Sequence, residues 1–86
     1  MLKSRLRDYA STHGGRYLLF GSAARGTMWA GSDVDLIACF DRDTQQAAIR
    51  FAELQCADLN LPLDIRWVNY VSDELMADAE RGGEWL

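Results

Sequence analysis

The sequence predicts an α/β (α+β) domain, a three-stranded mixed sheet flanked by about four helices. Three observations carry that reading. Helix-period segments alternate with short apolar runs along the whole chain. Glycine or proline stands at most of the junctions. Aspartate interrupts two of the apolar runs, where a strand core calls for an apolar residue.

Leu2, Leu6, Tyr9, Ala10 and His13 share one face of a first helix, with Lys and Arg opposite. The helix dipole favours His13 at the last turn, and Gly14-Gly15 stops the helix. Arg16 to Phe20 is short and bulky and reads as a buried strand. Gly21 breaks it, Ser22 to Gly26 reads as a short helical turn, and Thr27 to Ser32 as a loop. Asp33 to Phe40 is the clearest strand. Asp43, with Gln46 three residues on, has capping-box spacing for a helix that runs to about Asn60 and turns Ala48, Phe51, Ala52 and Leu59 inward. Pro62 cannot continue it. Leu63 to Val68 gives a third strand, and Ser72-Asp73-Glu74 caps and charges a last helix that ends near Gly82-Gly83. The long helix between the second and third strands predicts that these two run parallel by a right-handed crossover. The first strand is then free to pair antiparallel with the second.

At 86 residues there is room for one domain, residues 1–86, burying about two-thirds of its unfolded surface. The 49% hydrophobic content argues against disorder. A net charge of −4 makes direct nucleic-acid binding a poor expectation, because that needs many phosphate-neutralising cations. Cys39 and Cys56 have no metal-ligand spacing and read as buried, reduced thiols; one histidine cannot build a zinc site. With no long apolar stretch and no signal-peptide core, the expectation is a soluble cytoplasmic protein without a membrane span.

The chemistry concentrates in the interrupted strands. Asp33 and Asp35 are two residues apart, so strand alternation points both to one face. A carboxylate among Val34, Leu36 and Ile37 needs a cation or hydrogen-bond donors. Asp64 repeats the pattern within Leu61-Pro62-Leu63-x-Ile65 and can join the pair if its strand lies beside the second. Oxygen ligands of this kind suit Mg²⁺ or Mn²⁺. Two such ions about 3.5–4 Å apart would clamp the attacking and leaving oxygens of a phosphoryl displacement, with Asp64 placed to accept the proton of the incoming hydroxyl. Gly21 permits close backbone approach to a ligand, and Ser22 opens a turn whose free N–H groups favour phosphate. Arg25, one turn on, can contact the phosphates or brace the loop.

Gly21-Ser22, ten intervening residues, then Asp33-x-Asp35 resembles the signature of the DNA polymerase β-like nucleotidyltransferase superfamily. Four fixed positions at that spacing are expected by chance on the order of once in 10⁵ start points. The fuller stretch, Gly21 to Gly26 followed by Ser32-Asp33-Val34-Asp35-Leu36, is similar to its minimal nucleotidyltransferase branch. The likeness extends through Asp64 to a terminal helix taken to include Gly82-Gly83-Glu84-Trp85-Leu86. The resemblance implies a nucleotidyltransferase fold. It also implies Mg²⁺ (or Mn²⁺) as cofactor, with transfer of AMP from ATP to a hydroxyl and release of pyrophosphate. Asp33, Asp35 and Asp64 would be the catalytic and metal-binding acids, and Gly21, Ser22, Arg25, Asp33 and Asp35 the nucleotide-binding set. Minimal members are often antitoxins that silence a HEPN-type ribonuclease toxin by AMP transfer to a tyrosine. The alternative is an antitoxin that neutralises its partner by contact, with little or no catalysis.

Other activities lack their residues. No Walker A lysine motif and no G-x-S-x-G elbow occur. Asp41, Asp43, Asp73, Glu74, Asp78 and Glu80 read as caps and solvated helix faces. Trp29 reads mainly as a rim or partner contact, with stacking on a base as the alternative, and Trp85 and Leu86 as further interface candidates. Arg66 shares a strand face with Asp64, within reach of a triphosphate or of a cluster acid.

Overall fold

A computed structural model describes residues 2–21 and 34–86 of the chain. Helix α1 spans Leu2–His13, and strand β1 spans Arg16–Phe20. Strand β2 spans Val34–Cys39, helix α2 Arg42–Asp58 and strand β3 Leu63–Trp67. A 3₁₀ turn at Val68–Tyr70 leads to helix α3 at Asp73–Gly82, and a short strand β4 at Glu84–Trp85 closes the chain. The α+β class is as the sequence predicts. The sheet, however, has four strands in the order β3-β2-β1-β4. Three α-helices lie among the described residues; the helical turn expected at Ser22 to Gly26 lies outside them.

The two expected strand relations are present. β1 and β2 pair antiparallel, with Phe20 opposite Asp35. β2 and β3 pair parallel, joined through α2. The addition is β4, antiparallel to β1 with Leu18 opposite Trp85 and Leu19 opposite Glu84. The last helix ends at Gly82, as the Gly82-Gly83 pair predicts, but Glu84-Trp85, counted with that helix in the family likeness, forms a strand. Gly83 lets the chain swing onto β1: a Cβ at Gly83 would run into the carbonyl oxygens of Ala79 and Leu19.

Strand alternation divides the interior into two layers. Tyr17, Leu19, Val34, Leu36, Ala38 and Leu86 face α1 and α2, where Leu2, Leu6, Ala10, Ala48, Ala52 and Cys56 complete a continuous core. Leu18 and Ile37 face the other way, onto Ala79 of α3, with Phe20, Cys39, Val68, Val71, Met76 and Trp85 only partly buried around them. The α1/α2 layer also holds two hydrogen-bonded polar side chains. The Tyr17 hydroxyl donates to the carbonyl of Ala48 at 2.6 Å, and burial pushes its pKa far up. Gln45, also buried, accepts from the Phe40 N–H at 3.3 Å. Tyr9 stacks on Phe51 and on His13, which is exposed.

Several local expectations are corrected. The N-cap of α2 lies two residues before the expected cap at Asp43: it is Asp41, which makes no side-chain capping bond, and β2 feeds almost directly into the helix. Asp43 sits in the first turn. The cap at Ser72 is present, its Oγ accepting from the Leu75 N–H at 3.1 Å. Trp85 and Leu86, interface candidates in the sequence, belong to the fold instead. Leu86 is buried in the main core, and the Arg16 guanidinium lies over the Trp85 ring at 4.2 Å. Both cysteines are free, and burial raises both thiol pKa values.

Candidate active site

The site forms where β1 ends and β2 and β3 begin. Gly21 directly follows β1 with φ +75°, in the left-handed region that favours glycine. A Cβ there would run into the carboxylate of Asp35. The glycine therefore has two local reasons to be glycine: the turn needs the positive φ, and an acid side chain fills the space next to its Cα.

Asp35 is the second residue of β2, an interior strand, and is partly buried. Asp64 is the second residue of β3 and is its direct register partner. Adjacent strands lie about 4.8 Å apart, and in a parallel pair register partners point to the same face. The two carboxylates therefore rise side by side. Alternation puts them on the α3 face, in line with Ile37 and opposite the sealed α1/α2 core. Two charged groups placed together in this way repel unless a cation joins them.

The position of Asp64 in an apolar run predicts a buried acid. β3 is an edge strand with alternating burial, however, and Asp64 and Arg66 both lie on its exposed side. An acid there is ordinary for a strand with one wet face. What marks Asp64 is its register with Asp35. Arg66, two residues along the same face, pairs with Asp64 at 3.7 Å, both side chains being half exposed.

Ser22, Arg25 and Asp33 lie outside the described residues, as does Trp29. The structure thus brings together Gly21, Asp35 and Asp64 of the expected set, with Arg66 beside them. Among the described residues no group of three or more His, Cys, Asp or Glu side chains gathers at metal-binding spacing. Two paired carboxylates on neighbouring strands nonetheless have the donor chemistry of a hard divalent cation. Also among the described residues, no helix is long and apolar enough to cross a membrane.

The family model described as "Polymerase beta, Nucleotidyltransferase" matches residues 11–86. The chain belongs to this nucleotidyltransferase family. The matched span holds every strand of the described sheet, the Gly21 turn and both carboxylates. No curated protein sequence matches this nucleotidyltransferase-family domain significantly. Among solved structures, one described as "Crystal structure of the toxin-antitoxin with AMP-PNP" superposes with a TM-score of 0.70. The match covers 99% of this chain and 72% of that one at 17% identity, a likeness of fold.

Proposed function

We propose that this domain is a metal-dependent nucleotidyltransferase that moves AMP from ATP to a hydroxyl acceptor, a tyrosine of a partner HEPN-type toxin, and so acts as a cytoplasmic antitoxin. The observation that carries the chemistry is the register pairing of Asp35 with Asp64 beside the Gly21 turn. Family membership supports nucleotidyl transfer. The fold likeness to a toxin–antitoxin structure that contains AMP-PNP supports an adenine nucleotide and a toxin partner.

In this reading Asp35 and Asp64, with Asp33, hold Mg²⁺ or Mn²⁺. The ion supplies charge neutralisation for the triphosphate and its pyrophosphate leaving group. The chain's own residues do the rest. The Gly21-Ser22 turn, with Arg25, orients the phosphates through backbone N–H groups and hydroxyl and guanidinium donors. Asp64, on the exposed side of an edge strand, is open to an incoming acceptor. Its carboxylate takes the proton of the acceptor hydroxyl as that oxygen attacks the α-phosphorus. The new O–P bond forms as the bond to the bridging oxygen breaks, and the electron pair leaves with pyrophosphate.

The test is label transfer. Incubated with Mg²⁺, α-labelled ATP and its partner toxin, the protein labels the toxin, and Asp35→Ala abolishes the label. Full neutralisation of the toxin without label, unchanged in Asp35→Ala, would establish neutralisation by contact in its place.

A further inference from the structure

Arg66 stands apart from the other ion-paired cations of the described fold. Lys3 and Arg7 tie α1 to Glu84 of β4, Arg5 reaches Asp58 of α2, and Arg81 pairs within α3. Those pairs join or decorate the scaffold. The Arg66 pair joins nothing: both partners lie on the same strand, two residues apart, on an edge with one exposed face. Half-exposed side chains in such a pair contribute little to a fold. The acid it engages is the one whose register partner is Asp35.

The register also fixes what faces the guanidinium. Arg66 lies opposite Ile37, an apolar residue, and Asp64 lies opposite Asp35. A guanidinium is an obligate cation with a rigid fork of donors. At 3.7 Å from Asp64 Oδ2 it offsets part of the mutual repulsion of the two acids. The oxygen it faces is one that a divalent cation would use.

We infer that Arg66 is a positioning residue that competes with the divalent cation for Asp64, holding the carboxylate until the ion displaces it. This inference rests on the reading of Asp35 and Asp64 as metal ligands. Once displaced, the Arg66 side chain remains on the open face, where a triphosphate must lie, and its charge is then available to the nucleotide.

Direct Mn²⁺ binding to the intact chain, followed by electron paramagnetic resonance at low ionic strength without nucleotide, tests the inference independently of activity. Arg66→Gln is expected to bind Mn²⁺ about two- to fivefold more tightly, the scale of an exposed ion pair. Arg66→Lys, which keeps the charge, is expected to stay near the parent. Asp64→Asn is expected to weaken binding, and in the Asp64→Asn background Arg66→Gln is expected to lose most of its effect. Unchanged or weaker binding in Arg66→Gln, with Asp64→Asn still weakened, overturns the inference and leaves the metal site standing. Unchanged binding in Asp64→Asn overturns the metal site, and the inference with it. Circular dichroism checks that each variant is folded, which the exposed edge position favours.

Discussion

The two faces of the sheet are built from the same strands and do different work. On the α1/α2 face, residues from four strand and helix elements close into one core, and two polar side chains that enter it, Tyr17 and Gln45, are hydrogen-bonded. On the α3 face, among the described residues, only Leu18, Ile37 and Ala79 are fully enclosed, and the beginnings of β2 and β3 present carboxylates. A small domain has little surface to bury, so it cannot seal both faces equally. Concentrating burial on one face leaves the other free to hold charged groups that a sealed core would not tolerate.

Substitutions on the two faces should therefore separate activity from stability. The largest effect is expected from Asp35→Asn, a loss of transfer of about 10²–10³-fold, as for removal of a preorganised electrostatic group. Urea denaturation of that variant should show stability within about 1 kcal/mol of the parent. A collapse of both together would mean that Asp35 is part of the scaffold. The mirror experiment is Leu36→Ala, one residue on and facing the sealed core. It is expected to cost about 2–5 kcal/mol in urea denaturation, a large share of a marginal total. Any remaining folded fraction should keep its turnover number.

Gly21→Ala tests the junction between the faces. The positive φ and the neighbouring Asp35 carboxylate predict a loss of about 1–3 kcal/mol together with activity, so both readouts fall at once. On the sealed side, Tyr17→Phe removes the bond to Ala48 and is expected to cost about 0.5–1.5 kcal/mol by thermal denaturation, with transfer unchanged.

The smallest effect is a pH dependence at the far edge of the sheet. The hydrogen bond from Lys3, helped by the charges of Lys3 and Arg7, holds the Glu84 carboxyl below its ordinary value of 4.5. A carboxyl lowered in the folded state stabilises above its unfolded pKa and loses that contribution as pH falls through its folded value. Melting temperature should therefore drop slightly less on acidification below about pH 4.5 in Glu84→Gln than in the parent. Superimposable profiles would show that the pair is inert.

The sequence determined the alternation of helices and strands, the parallel relation of β2 and β3, and the family. These follow from local signals: hydrophobic period, the Gly14-Gly15 and Pro62 breaks, and the fixed spacing from Gly21-Ser22 to Asp33-x-Asp35. It also picked out Asp64, but by an argument about burial that the exposed edge strand does not support. Only the tertiary structure decided the rest. Glu84-Trp85 is too short to announce itself as a strand and becomes one because Gly83 lets it reach β1. Gln45 looks like a surface residue of a polar helix start until Phe40 and Ala38 surround it. Gly21 beside Asp35, and Asp35 beside Asp64, are contacts between residues 14 and 29 positions apart, which only strand register can set. Period and punctuation are properties of neighbours in sequence; a site is a property of neighbours in space.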